Sequence, residues 1–138
     1  MSERSKRPRP GTTIHTTKTA KIWICEEEIF HISCLPGSVH RLEEALENMA
    51  VFPAEGKDEL PVLADIRHVK AIEREAREVY RNRDKYNMQV SALAILVGSP
   101  LSRAIGNFFI GLSRMPMPTR LFTSESDAVQ WLKEARVK

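Results

Sequence analysis

The sequence predicts an α/β domain with a mixed, mostly parallel sheet of about five strands, an N-terminal β-hairpin and four helices, in the order ββαβαβαβα. Two nearly continuous apolar runs, residues 61–66 and 92–97, are typical of strands covered on both faces. Each run is followed by apolar residues at helical spacing, and such alternation favours right-handed crossovers. The length of 138 residues fits one domain.

A hairpin and a helix are predicted first. Residues 18–25 and 29–35 carry β-branched side chains in near alternation, and residues 26–28, all glutamate, indicate the turn. Pro36 and Gly37 then break the strand. A first helix follows up to the 53–56 loop, with apolar residues at helical spacing: Val39, Leu42, Ala45, Leu46 and Met49.

The apolar run at residues 61–66 predicts the central strand. It precedes a second helix over residues 73–86, in which charges of alternating sign indicate one solvated face. The opposite face is an apolar stripe of Ile72, Ala76, Val79 and Tyr80.

A third helix is predicted after the strand at residues 92–97. Ser99 suits its N-cap and Pro100 its first helical position, while residues 114–118 end it. Its apolar set is Leu101, Ala104, Ile105, Phe108, Phe109 and Leu112.

The last elements are a short strand at residues 120–123 and a final helix. Ser124 and Asp127 form the capping-box-like start of that helix. Its apolar residues are Ala128, Val129, Trp131 and Leu132.

Charge is concentrated at the N-terminus. The chain is 42% apolar and 28% charged, with a net charge of +3, as in ordinary globular proteins. Residues 1–10 hold four basic side chains and one acidic, which leaves 17 of each sign elsewhere. We therefore expect residues 1–14 to form a disordered basic tail, rather than a nucleic-acid-binding arm, and residues 15–138 to form a single domain. No segment resembles a signal peptide or a membrane span.

Cys25 and Cys34 lie on the two arms of the predicted hairpin, too far apart in register to be bridged. Two reduced cysteines and no secretion signal indicate a bacterial-type cytoplasm. Four suitably spaced ligands for structural zinc are missing from the sequence, so no metal and no cofactor are expected.

Several segments resemble a known group of proteins. PVLADIRHVKAIEREAREVY and LFTSESDAVQWL, with the order of elements, resemble the STAS and SpoIIAA-like superfamily of anti-sigma factor antagonists over roughly residues 18–136. KIWICEEEIFHI, LPG and ILVGSPLSRAIGNFFIGL are similar to an uncharacterised bacterial branch of it. The resemblance implies a compact cytoplasmic module that binds partners and has no enzymatic activity.

Phosphorylated members of that superfamily carry a serine at the start of the second helix. The corresponding stretch here is residues 71–75, and no Ser, Thr or Tyr lies between Asp65 and Tyr80. Glu73 would either supply a fixed negative charge at this position or simply complement the helix dipole, as acidic residues commonly do.

Catalytic patterns are scarce. The sequence has no nucleophile elbow, P-loop or dinucleotide fingerprint, and its four histidines are scattered. Cys34 and His31 are three residues apart on a strand, so their side chains point to opposite faces of the sheet. We therefore expect a protein that is not an enzyme.

The best local candidate for ligand binding is an anion pocket where the two loops after the central strands meet. Backbone N–H groups at the start of the third helix would attract phosphate or carboxylate. In the alternative interpretation Ser99 only caps the helix, Arg67 pairs with Glu73 or Asp65, and Arg103 is solvated. The candidate residues are Arg67, His68, Ser99, Ser102 and Arg103.

A partner surface is the other candidate. Bulky residues of the third helix would face a second copy of the chain, a partner helix or a lipid tail, or else pack in the core. The leading hypothesis is a dimeric interaction module that docks a protein partner through the second helix and its preceding loop; the runner-up is a carrier of an anionic lipid or nucleotide. The surface candidates are Glu73, Arg74, Arg77, Phe109, Ile110, Met115 and Met117.

Overall fold

A computed structural model of the chain describes residues 3–54, 59–82, 90–112 and 117–137. Its strands are β1 (His15–Thr16), β2 (Ala20–Ile24), β3 (Phe30–Cys34), β4 (Val39–His40), β5 (Leu60–Asp65), β6 (Ala71–Ile72), β7 (Val90–Leu96) and β8 (Thr119–Phe122). The helices are α1 (Leu42–Ala54), α2 (Arg74–Arg81), α3 (Pro100–Leu112) and α4 (Glu125–Val137). None of these helices is both long and apolar enough to cross a bilayer, as far as the described residues show.

The main sheet has six strands in the order β1-β2-β3-β5-β7-β8. The first three are antiparallel, and β3, β5, β7 and β8 are parallel to one another. The predicted fold class is therefore confirmed. The added edge strand is β1, and β4 and β6 form a separate two-stranded parallel sheet.

The hairpin has the expected register. The N–H of Cys25 donates to the carbonyl of Ile29 at 3.0 Å, and Glu28 occupies the left-handed region at φ 60°. Cys34 lies opposite Ala20, five positions along β2 from Cys25, and both thiols are free.

Helices cover the two faces of the sheet unequally. One face packs against α1, α2 and α3 through side chains such as Phe52, Val79 and Phe109. The other face packs against α4, whose Ala128, Val129 and Leu132 are buried on Leu63 and Leu96. The two central strands β5 and β7 thus carry apolar side chains on both faces, which explains their continuous apolar runs.

The first helix starts later than the sequence predicts. Val39 lies in β4 opposite Ala71, so its assignment to the helix was wrong. The helix starts after Arg41 because the Glu44 carboxylate accepts the backbone N–H of Arg41 at 2.9 Å. Within the apolar set, Ala45 and Met49 are buried, but Leu42 and Leu46 are 41% and 39% exposed.

The buried face of α3 also differs from the predicted stripe. Leu101 is 50% exposed, whereas Ser102 and Gly106 are buried. The helix approaches the sheet so closely at Gly106 that a Cβ there would lie 2.7 Å from Leu121 Cδ2. This close approach turns the small residues, rather than Leu101, towards the core.

The N-terminal segment departs from the expected disordered tail. Its residues 3–5 form a 3-10 turn, Ser5 is fully buried, and Pro8 bridges Cys25. The backbone carbonyl of Lys6 accepts the indole N–H of Trp23 at 2.7 Å.

Basic residues of this segment form ion pairs with acidic side chains of the domain. A count of charges in the sequence does not reveal these pairs. Arg4 and Arg7 lie 3.8 and 3.7 Å from Glu26, in the hairpin turn. Lys6 lies 3.2 Å from Glu125. The segment therefore covers part of the sheet face that carries α4.

Candidate functional site

The two loops predicted to form the anion pocket are neighbours. A Cβ on Gly98 would lie 3.1 Å from Cγ of Arg67, and the backbone N–H of Ile66 donates to the carbonyl of Leu96 at 3.0 Å. Parallel pairing of β5 and β7 brings their carboxyl ends together, so this juxtaposition follows from the topology.

Arg67 is already paired. Its Nε and Nη2 donate to the two carboxylate oxygens of Asp65 at 3.0 and 2.7 Å, and Nη2 lies 3.8 Å from Glu125. The bond to Asp65 raises the pKa of the guanidinium. Two carboxylates next to one cation leave little positive potential for an added anion.

Ser99 and Ser102 cap the start of α3. The Ser102 hydroxyl oxygen accepts the backbone N–H groups of Gly98 and Ser99 at 3.0 and 2.9 Å, and the Ser99 hydroxyl oxygen accepts that of Ser102 at 3.0 Å. These amides lie at and just before the helix start, where an anion would bind. His68 and Arg103 are exposed beside them. The geometry thus matches the capping interpretation.

The residues predicted for a partner surface separate into two groups. Glu73 and Arg74 lie at the start of α2, with 44% and 82% of their side chains exposed. Arg77 instead donates to the carbonyl of Ile72 at 2.7 Å, and its guanidinium carbon lies 4.1 Å from the Phe108 ring centroid. It joins α2 to β6 and α3.

The candidates on and after the third helix are not presented as one surface. Phe109 is 7% exposed and lies in the core, and Met117 packs against the same core. Ile110 belongs to α3, but its side chain and the whole of Met115 lie outside the described residues.

A buried polar network, missed by sequence reasoning, joins β4, α1 and α2. His40 and Asn48 are fully buried. The Tyr80 hydroxyl lies 2.7 Å from Nδ1 of His40 and accepts the Asn48 amide N–H at 2.9 Å. Asn48 also reaches Thr17 and Thr19, before β2. Asn48 lies three residues after the buried Ala45, on the inner side of an amphipathic helix. This spacing is the sequence feature that could have predicted its burial.

The network fixes the protonation of its ionisable members. Burial lowers the pKa of His40 from 6.5 to about 4 and raises that of Tyr80. His40 is therefore neutral. Its Nδ1 can then accept the Tyr80 hydroxyl proton while Nε2–H donates to Ser38, 3.1 Å away.

An apolar cavity of about 80 Å³ adjoins this network, under α1, α2 and α3. Cys34 and Tyr80 contribute to its lining. Burial raises the pKa of the Cys34 thiol to about 12, so the thiol is protonated at neutral pH. His31 lies on the opposite sheet face, stacked on Trp23 with ring centroids 4.8 Å apart, as the strand alternation predicted.

Within the described ranges, no group of three His, Cys, Asp or Glu side chains could hold a metal ion.

Comparison with known proteins identifies a family. A family model described as Domain of unknown function (DUF7793) matches residues 22–136. The chain belongs to this family. The matched range of the DUF7793 domain starts in β2 and ends in α4, so it leaves out the N-terminal segment. The curated proteins gave no match.

Solved structures show the fold of the DUF7793 domain. An uncharacterised DUF3478-family protein with a SpoIIAA-like fold, from Shewanella loihica PV-4, is 15% identical, with 88% of this chain and 92% of that chain covered at a TM-score of 0.54. A protein of unknown function from Arthrobacter sp. FB24 is 28% identical over 86% and 95% of the two chains, at a TM-score of 0.32. The first likeness shows a SpoIIAA-like fold.

Proposed function

We propose that the protein is a non-enzymatic, STAS-like interaction module that binds a partner protein through the first turns of α1 and α2. The observation that carries this proposal is an exposed apolar pair, Leu42 and Leu46, next to exposed charges. The two leucines are four residues apart on α1 and share its solvent face. Apolar side chains rimmed by charged ones are typical of protein interaction sites.

The charged part of this surface comes from α2. Nε of Arg41, which precedes Leu42, lies 3.6 Å from Oε1 of Glu73, so the two helices start side by side. Arg74 is 82% exposed and pairs with Glu78 at 3.6 Å. We call Arg41, Leu42, Leu46, Glu73 and Arg74 the docking face.

Glu73 places a carboxylate on the docking face. It is the N-cap residue of α2, but its carboxylate makes no capping hydrogen bond and reaches Arg41 instead. The Glu73 side chain therefore does not cap α2 by a hydrogen bond, but its position at the helix start is compatible both with a fixed charge and with complementing the helix dipole. A partner that recognises this charge would bind without phosphorylation of the module.

The chemistry of the interior supports binding over catalysis. The Cys34 thiol is held protonated, and His40 is held neutral between Tyr80 and Ser38. A protonated thiol is a poor nucleophile, and the lowered pKa of His40 makes its buried ring a weak base at neutral pH.

Site-specific crosslinking tests the docking face. A photo-crosslinking amino acid would be placed at Arg74 in cells of the source organism, with the exposed Lys21 as the matched control position. Lys21 alternates with the buried Ala20 and Ile22 on β2, so it lies on the opposite sheet face from α1 and α2. We expect one protein to crosslink from position 74 and not from position 21.

The captured protein would then be purified and titrated against folded variants. We expect Leu46→Glu to weaken its binding at least tenfold and Lys21→Glu to leave it unchanged, because only Leu46 belongs to the docking face. A crosslink from position 74 to a second copy of the chain would contradict a separate partner protein. It would show that the docking face forms a homodimer. Equal crosslinking at both positions, or equal affinity of both variants, would contradict the proposal.

A further inference from the structure

The α1–α2–α3 layer contains an apolar cavity that is partly open to the surface. The cavity of about 80 Å³ lies between the helices and β3, β5 and β7. Ile32, Ala64 and Ile95, which are register partners on these three strands, contribute to its lining. Protein interiors rarely leave voids larger than a water molecule, because the atoms lining a void lose dispersion contacts. This volume is several times the roughly 10–15 Å³ that one water needs.

The walls of the cavity decide what can occupy it. Among the described residues the lining contains no charged side chain, and the Tyr80 hydroxyl already bonds to His40 and Asn48. A water molecule in the inner part of the cavity would need two to four polar partners, and the described lining there is almost entirely apolar. An anion or cation would lose its hydration without compensation.

We propose that this cavity is a binding site for a small, neutral, apolar molecule, of the size of a single ring or a short branched hydrocarbon chain. A dry apolar cavity of about 150 Å³ binds benzene or xenon, so ligands of benzene size or smaller are the appropriate class. The ligand would restore the missing dispersion contacts on Ile66, Ile72 and Phe109. This site is separate from the docking face and from the two loops at Arg67 and Ser99.

Methyl NMR of the full chain tests the site directly, with benzene as the probe. Four isoleucines contribute to the cavity lining, namely Ile32, Ile66, Ile72 and Ile95. Ile29 belongs to the core on the other sheet face and is the internal control. We expect saturable shifts of the four lining methyl groups on titration with benzene, and none at Ile29.

A cavity-filling variant makes the test specific. Ala64 lines the cavity, so Ala64→Leu should reduce benzene affinity at least tenfold, and Ala64→Val serves if the larger side chain prevents folding. Ala50→Leu, at an exposed position of α1, is the matched control and should bind as wild type does. By linkage, benzene should raise the Tm of wild type and Ala50→Leu only.

Absence of saturable shifts in the wild-type protein would overturn the proposal. Equal shifts at Ile29 and at the lining methyl groups, or equal binding by the Ala64 and Ala50 variants, would do the same. None of these readouts involves the docking face, so failure here leaves the proposed partner binding unaffected.

Discussion

His40 shows how burial controls the behaviour of a single residue. The ring is fully buried, and each nitrogen has a polar neighbour, Tyr80 on one side and Ser38 on the other. Protonation would put a charge in an apolar layer, where the Glu44 carboxylate compensates only in part. The neutral ring therefore stabilises the junction of β4, α1 and α2.

A pH dependence of stability follows. The pKa of His40 is about 4 in the folded protein, compared with its ordinary value of 6.5. The contribution of the neutral ring to the free energy of unfolding is therefore complete above pH 6.5 and is lost as the pH falls towards 4. We expect wild type to lose about 2 kcal/mol more of its free energy of unfolding between pH 7.5 and pH 5 than His40→Gln does. Urea unfolding of both proteins at the two pH values measures this difference.

The comparison with His40→Gln is needed because burial also lowers the pKa of His31, which acts in the same pH window. Both proteins retain His31, so its effect cancels in the difference. Parallel pH profiles for wild type and variant would show that His40 is not the group responsible.

At the scale of one element, α3 shows how a cap can occupy a potential binding site. The Ser102 hydroxyl accepts the Ser99 amide just before the helix, the Ser99 hydroxyl accepts the Ser102 amide in its first turn, and the adjacent Arg67 is held by Asp65. The residues that a sequence reader assigns to anion binding therefore serve the helix start and the loop before it. Arg103 is exposed and contributes to neither.

Removing the buried hydroxyl of Ser102 should destabilise the fold. In Ser102→Ala the N–H groups of Gly98 and Ser99 lose their acceptor, and we expect a loss of about 1–3 kcal/mol in the free energy of unfolding. Arg103→Ala, on the exposed side of the same helix, should change stability by less than about 0.5 kcal/mol. Chemical denaturation of the three proteins gives both values.

Sulfate distinguishes capping from anion binding. At matched ionic strength, sulfate should raise the Tm of wild type and Arg103→Ala equally relative to chloride, because surface exclusion acts on both. A sulfate-specific gain that disappears in Arg103→Ala would instead establish the anion pocket.

At the scale of the whole molecule, the N-terminal segment compensates for an uneven distribution of helices. Three helices cover one face of the sheet, and α4 covers only part of the other. The segment packs beside Trp23 and Cys25 on that second face, held by a backbone bridge and by Lys6. Its ion pairs are largely exposed and contribute little individually.

Two changes to the segment should therefore have different effects. Replacing Arg4, Lys6, Arg7 and Arg9 by Ser should leave the Tm nearly unchanged, because ion pairs of side chains that are 34–65% exposed contribute little. Deleting residues 1–9 should lower the Tm by several degrees, because 1 kcal/mol corresponds to about 3–5 °C for a domain of this size. It should also increase the reactivity of Cys25 towards thiol reagents, measured in a Cys34→Ala background. If deletion alters neither quantity, the segment is the disordered tail that its composition indicates.

The sequence alone determined the hairpin, the strands β5, β7 and β8, the four helices and their order, but not β1, β4 and β6. Apolar runs identified β5 and β7, alternation identified the hairpin, and Ser99-Pro100 marked the start of α3. These features depend on neighbouring residues, so local patterns carry them. The same patterns placed the loops at Arg67 and Ser99 side by side, because parallel strands end at one edge.

Only the tertiary structure decided which side chains face which neighbours. Leu46 is exposed although its spacing is that of a buried residue, and Phe109 is buried although it was a candidate for a partner surface. The polar network of His40, Asn48 and Tyr80 joins residues up to forty positions apart. Long-range packing sets these contacts, and it also leaves the cavity beside them. A single sequence records the residues that line such a space but not the distances between them.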